Sequence, residues 1–308
     1  MKAIHRSAFG IFAAVIVLFA ALAVLVARRT SVMMTEEAER TVKSVVKETT
    51  ARINQQLLAV ETVTRNFAWV VGEHLDDPDY MYRITRKLVE NNEYIGGSAV
   101  AFVPDFYKEK GRFYAPYTCV STNGQMKSFP LPYDYSSREW YHEATASGQA
   151  RWCEPYFDEG GGEVMMCTFS VPLTNETGRV YAVLTADVSL SGMSEYISSI
   201  CPYPQSYAMM TSCAGKYLVE PPHDRTLERN EKAITIREKT DNGWVVAIIC
   251  PMEDILRETR RLVSFIVLFA VIGLMIIIPI AWIHITRLQR ESVVRDWVAS
   301  KLGTAVNE

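Results

Sequence analysis

Two uncharged apolar runs bracket this chain. Residues 8–27 (AFGIFAAVIVLFAALAVLVA) carry no charge over 20 positions. Residues 262–285 (LVSFIVLFAVIGLMIIIPIAWIHI) carry only His284, near their end, over 24. A helix needs about 20 apolar residues to cross the hydrocarbon of a bilayer, so each run is expected to span one. The first follows Lys2 and Arg6, as a cleaved signal peptide would. Its apolar part exceeds the usual core of about 7–15 residues, and Arg28 and Arg29 follow directly, so an uncleaved anchor is expected. Basic residues flank both runs, but a domain as large as the 234 residues between them translocates largely regardless of charge. Residues 1–7 and 286–308 are therefore read as cytoplasmic and 28–261 as outside.

Between the runs the period changes twice. Over 30–75 there is no proline, and Val42, Val46, Ile53, Leu57, Val60, Val63, Phe67 and Val70 recur mostly every three or four residues, predicting an amphipathic helix. At about 1.5 Å per residue it would run about 60 Å. A break at 76–79 and a short helix over 80–91 follow. GSAVAFVP (97–104) reads as a buried strand and RFYAPYTCV (112–120) as a second. Ser136 and Glu139 fit a capping box and Gly148 a helix stop, predicting a helix over 137–147. Segments 149–158 and 163–173 flank Gly160-Gly161-Gly162 as a hairpin. Residues 178–190 alternate as a closing strand. A helix over 189–200, strands over 206–212, 216–219, 233–237 and 244–250, and a helix over 252–261 form a smaller second lobe that leads into the second span.

Charge and cysteine placement narrow the class. The net charge of −3 gives no electrostatic case for nucleic acid. All six cysteines lie between the spans, where an oxidising exterior permits disulfides. If the hairpin turns about Gly160, Cys153 and Cys167 fall opposite each other and are expected to bond; buried free thiols are the alternative. No CxxC or zinc spacing occurs, and His142-Glu143 lacks a second histidine because position 146 is Ala. There is no G-x-S-x-G and no phosphate-loop lysine. No enzymatic activity, cofactor or metal is expected.

The richest chemistry lies in YDYSSREWYHEATASGQARWCEPYFD (133–158), with six tyrosines and tryptophans among arginines and carboxylates. Arg138 and Trp140 stand where a guanidinium, an indole N–H and free helix N–H groups converge on a carboxylate. Tyr156 and Asp158 share a strand face, and Asp187 ends the closing strand. Carboxylates beside tyrosine rings suit an ammonium group. The alternative is structural: Arg138 pairs with Asp158 or Asp187, and the aromatics are core.

The long helix, GSAVAFVP, REWY, PYFD and VLTADVSL occur in the order of a family, and residues about 32–256 resemble the double Cache (dCache) sensor domain of bacterial transmembrane receptors. The amino-acid-binding subgroup carries Y-x4-R-x-W-Y, then Y-x-D, then a later Asp. Tyr133, Arg138, Trp140 and Tyr141, then Tyr156 and Asp158, then Asp187 fill it. The resemblance implies an α/β fold with PAS-like lobes: a long helix (30–75), a membrane-distal lobe (76–190) and a membrane-proximal lobe (191–256). It also implies that Tyr133, Arg138 and Trp140 hold a ligand carboxylate, that Tyr141, Asp158 and Asp187 hold its ammonium, and that Tyr156 lines the pocket. The expected protein is a two-pass receptor of the bacterial inner membrane that pairs as a homodimer, binds a free amino acid and signals inward. The alternatives are an amine or other small carboxylate as ligand, or a membrane assembly protein whose outside domain binds a partner protein. The family's output domain is absent from residues 286–308, where Val294, Trp297, Val298 and Leu302 form a narrow helical stripe. The output would lie in a partner, or the chain is a fragment.

Overall fold

A computed structural model describes residues 2–121, 123–222 and 232–305. The apolar run and the amphipathic segment join in one proline-free helix, α1 (Lys2–Glu73). Along it Val42, Val46, Ile53, Leu57 and Val60 are buried as their spacing predicts. Farther on, Thr64 and Val71 take the buried positions while Val63, Phe67 and Val70 are half-buried. A helix of 3.6 residues per turn drifts against a strict seven-residue repeat, which shifts the stripe sideways.

The chain divides into a unit Glu39–Asp254 and a unit of Met1–Ala38 with Ile255–Glu308. In the first, α2 (Tyr80–Glu90) precedes β1 (Gly97–Phe102), a short 3-10 turn (Lys108–Lys110), β2 (Pro116–Val120) and β3 (Met126–Pro130). Then come α3 (Glu139–Ser147), β4 (Arg151–Trp152), β5 (Tyr156–Phe157), β6 (Met165–Thr174) and β7 (Val180–Ser189). Seven strands make one antiparallel sheet in the order β3-β2-β1-β7-β6-β4, with β5 also on β6. The second lobe holds α4 (Leu190–Ser199), β8 (Tyr207–Thr211), β9 (Tyr217–Val219), β10 (Ala233–Lys239) and β11 (Val245–Pro251), ordered β10-β11-β8-β9. After it come α5 (Met252–Ile255) and α6 (Arg257–Ala305). Helix portions at Ala14–Glu73 and Thr259–Arg287 are long and apolar enough to cross a membrane. The side chain of Leu302 and residues 306–308 lie outside those described.

Helix α1 is tied to both lobes. Toward the smaller lobe, the Arg52 guanidinium lies 4.7 Å from the Tyr196 ring centre, and Asp241 N–H donates to Asn54 Oδ1 at 3.0 Å. Toward the larger, Trp152 Nε1–H donates to Glu61 Oε1 at 2.8 Å, and Arg65 lies 5.2 Å from the Phe169 ring centre. Trp152 also meets Trp244 of the smaller lobe edge-on, with ring centres 5.4 Å apart.

Three expectations are corrected. The capping box does not form: Asp134 Oδ1 accepts from Ser136 N at 2.8 Å and from Ser136 Oγ at 2.5 Å, which uses up that hydroxyl. Arg138 is the N-cap without a side-chain bond, and Glu139 Oε1 instead accepts from Glu154 N–H at 3.1 Å. The Gly148 stop is as expected, in the left-handed region at φ 64°. Cys153 and Cys167 do not bond, and all six cysteines are free. Strand β4 pairs Arg151 with Ser170 and Trp152 with Phe169, a register that continues to Cys153 opposite Thr168, and Cys153 N–H donates to Thr168 O at 3.0 Å, one residue beyond Cys167. A one-residue offset sends side chains to opposite sheet faces. Strand β3, absent from the sequence reading, pairs with β2 along its whole length.

The face of the larger sheet under α3 is closed by Tyr135, fully buried, whose hydroxyl donates to Phe102 O at 2.7 Å and accepts from Tyr114 N–H at 3.1 Å. Tyr135→Phe should cost about 1–3 kcal/mol, because buried backbone groups lose their partner. An unchanged urea midpoint for the full chain in detergent would contradict this bonding.

Candidate functional site

Register brings the acids together. Asp187 of β7 lies opposite Gly97 of β1 and Thr168 of β6, and Gly97 lies opposite Cys119 of β2. Gly97 is required here: a Cβ would sit 2.5 Å from Tyr117 Oη and 2.7 Å from Asp187 Oδ2. The missing side chain lets Tyr117 of β2 reach across β1. Its hydroxyl donates to Asp158 Oδ2 at 3.0 Å, and Thr168 Oγ1–H donates to Asp187 Oδ1 at 2.8 Å. Thr168 Oγ1 also lies 2.8 Å from Tyr156 Oη, which joins Tyr156 to the same network.

Asp158 sits just past β5 in the glycine turn, and Gly162 N–H donates to its Oδ2 at 2.5 Å. A Cβ on Gly161 would collide with that carboxylate, so the three glycines serve to wrap an acid of this chain. Both aspartates are 4% exposed. Burial holds the Asp158 carboxyl above the ordinary range, and burial followed by the charge of Asp158 pushes Asp187 up to about 7.

The other end is more open. Arg138 is exposed, with its guanidinium 4.9 Å from the ring centre of half-buried Tyr133. The ion pairs among the described residues are Lys87–Glu90, Lys110–Asp79 and Arg151–Glu143, so the structural pairing of Arg138 with either aspartate is not made. The first bonds of α3 run from Tyr141 and His142 N–H to Arg138 O, which leaves the N–H groups of Glu139 and Trp140 at the open helix end. Trp140 and Tyr141 are core residues as well: they are 4% and 5% exposed and pack on Tyr135. Burial raises the Tyr141 phenol to about 12, so it remains a neutral donor.

Thus Tyr156 and Asp187 meet through Thr168, and Asp158 is held by Tyr117 and Gly162. Trp140 and Tyr141 belong to the core cluster that contains Tyr117 and has Tyr133 and Tyr156 packed against it, and Arg138 lies exposed over Tyr133. A cavity of about 430 Å³ opens beside Asp187, lined also by Glu93, Tyr117, Gly162, Met166 and Ser189; Tyr133, Arg138, Trp140, Tyr141, Tyr156 and Asp158 do not line it. That volume suits a small molecule. Sequence reasoning missed Tyr117, Thr168 and Gly97. Only strand pairing puts them beside the aspartates.

Residues 81–195 match the family model described as methyl-accepting chemotaxis protein-like, first PDC sensor domain. The methyl-accepting chemotaxis protein PctB of Pseudomonas aeruginosa is 32% identical over 99 residues, covering 32% of this chain and 15% of that protein. The chain spans 15–20% of the length of the curated relatives it matches. Among solved structures, the periplasmic sensory domain of the Campylobacter jejuni chemoreceptor Tlp1 superposes at a TM-score of 0.62 with 11% identity, over 72% of this chain and 98% of that one. The ligand-binding domain of Pseudomonas aeruginosa PctB, solved in complex with L-Gln, superposes at 0.52 with 18% identity, over 70% and 91%. The dCache resemblance and its long-helix, two-lobe fold therefore hold.

Asp187 sets a pH signature. Its folded value lies above the ordinary 3.8, so the native state keeps a proton that the unfolded chain releases. Its contribution to stability is complete below about pH 4 and is lost as pH rises through about 7. Asp187→Asn should flatten the decline in urea midpoint across this window; identical pH profiles for the two proteins would refute the assignment.

Proposed function

We propose that this chain, which carries a chemoreceptor-type PDC sensor domain, is a two-pass membrane receptor that binds a free amino acid and reports it inward. One observation carries the reading: two buried carboxylates receive only neutral hydrogen bonds, while the arginine near them makes no ion pair. An amino acid supplies both missing partners. Its carboxylate would meet Arg138, Tyr133 and Trp140 at the α3 end, and its ammonium would meet Asp158, Asp187 and Tyr141, with Tyr156 lining the pocket. Tyr117 and Thr168 would hold the two aspartates in place. The L-Gln complex of the relative supports this assignment of ligand class.

In this reading the larger lobe is membrane-distal, residues 28–261 lie outside the inner membrane, and 286–308 lie in the cytoplasm. Two copies pair, and the output rests with a cytoplasmic domain or partner. The comparisons with chemotaxis receptors favour a sensor over an enzyme.

The test is a ligand screen. With one hundredfold excess over Kd, a binding amino acid should stabilise the full chain by about 2.7 kcal/mol. Arg138→Ala and Asp187→Ala should each remove that shift with the helical content unchanged; for buried Asp187, losing one partner of a buried charged contact costs about 2–5 kcal/mol. No shift from any of the twenty amino acids would sink the reading.

Pairing has its own test. Val294 and Val298 are exposed on α6, at 59% and 41%. Two copies in one membrane run parallel, and burying these valines together brings position 298 of each copy within reach. A cysteine at Val298 should cross-link in membranes, with a yield that changes on ligand addition. Monomer alone under both conditions would exclude a homodimer through this helix.

A further inference from the structure

The acid pair has no resident counter-ion among the described residues. Both acids are buried and flank Tyr117 of β2: its hydroxyl is 3.0 Å from Asp158 Oδ2, and it borders with Asp187 Oδ2 the space that a Gly97 Cβ would fill. Cys119 of β2, Tyr133 from the loop before α3 and Tyr156 from β5 are the other titratable groups around them. Burial raises all four of these groups, so they stay neutral donors near neutral pH. Cys153 beside Thr168 is raised by burial as well. Glu163, from the glycine turn, adds a further negative charge next to Asp158. The cation acting on Asp158 is exposed Arg138, the weakest influence on it, and no cation acts on Asp187. Lys127 of β3 acts on Cys119. Two carboxylates in a dry site without a cation do not both remain ionised.

We propose that the empty site holds one proton on the Asp158–Asp187 pair and surrenders it to solvent when the ammonium of a ligand enters. This rests on the amino-acid reading of the same site and adds a requirement to it: the pair selects ligands that bring a protonated amine, and it binds them more weakly in acid. The exchange balances. One carboxyl O–H bond breaks and its proton passes to the buffer; the ammonium enters with its three protons intact. The acid pair together with the entering ammonium group carries one net negative charge before and after, and the ligand carboxylate is met separately by Arg138. A neutral ligand, or one with a hydroxyl where the amine belongs, leaves the second carboxylate uncompensated and does not displace the proton.

The experiment uses the full chain in lipid nanodiscs and has two independent arms. In the first, without ligand, infrared difference spectra between pH 5 and pH 9 should show a protonated-carboxyl band at pH 5 that Asp187→Asn removes. In the second, L-glutamine, or another of the twenty amino acids if it is silent, is titrated calorimetrically in phosphate and in Tris, which differ in ionisation enthalpy. Close to one proton should be released per ligand at pH 6, and Kd should weaken by up to about tenfold per pH unit below neutrality. A missing carboxyl band, or binding without proton release at pH 6, would overturn the exchange. If the band is present but no amino acid binds, the functional reading falls while the shared proton stands.

Discussion

The burial of Asp158 and Asp187 under one sheet face is the constraint around which the larger lobe is arranged. Charged groups in a dry interior are costly unless they are paired or well hydrogen-bonded. This chain meets that cost with neutral donors alone: Tyr117 Oη, Gly162 N–H and Thr168 Oγ1. Each donor depends on a specific allowance. Tyr117 reaches Asp158 only because Gly97 has no Cβ, and the turn closes on the Asp158 carboxylate only because residue 161 is glycine. The arrangement holds both acids in position with donors that carry no charge of their own.

The same strand that supplies Thr168 also reaches the long helix. Successive side chains of a strand point to opposite faces. Thr168 bonds Asp187, while its neighbour Phe169 lies beneath Arg65 of α1 and beside Trp152, ring centres 5.3 Å apart. Trp152 in turn bonds Glu61 and meets Trp244 in the smaller lobe. The distance from acid site to helix is therefore one residue of β6. A ligand that binds two arrangements of Asp187 unequally would bias the Phe169–Trp152 packing against α1, and only by that difference in affinity.

The aromatic motif residues Trp140 and Tyr141 follow the core reading of the sequence. Trp140 and Tyr141 are buried against Tyr135, as core residues are, yet they stand on the first turn of α3 beside the open N–H groups. A rigid wall and a polar tip are compatible in such side chains. Arg138, in contrast, does not follow the structural expectation: it pairs with neither aspartate and lies exposed over Tyr133.

The sequence by itself determined the elements whose signal is local. Uncharged runs of sufficient length, a three- and four-residue apolar period from Val42 to Val60, a glycine stop at Gly148 and a glycine turn at 160–162 each act over a few neighbours, so they survive in one dimension. The order of motif residues from Tyr133 to Asp187 was legible for the same reason. Tertiary structure decided what depends on register and competition. Asp134 outbid the helix for Ser136, the β4–β6 register set Cys153 opposite Thr168 rather than Cys167, and β3 took its place through pairing with β2 rather than through any pattern of its own. Thr168 and Gly97 came beside the aspartates only when strand pairing set them level with Asp187, and Tyr117, opposite Ala99, only by reaching over Gly97. Strand partners lie tens of residues apart in sequence, and a shift of one residue reverses every side chain, so no local pattern could have specified them.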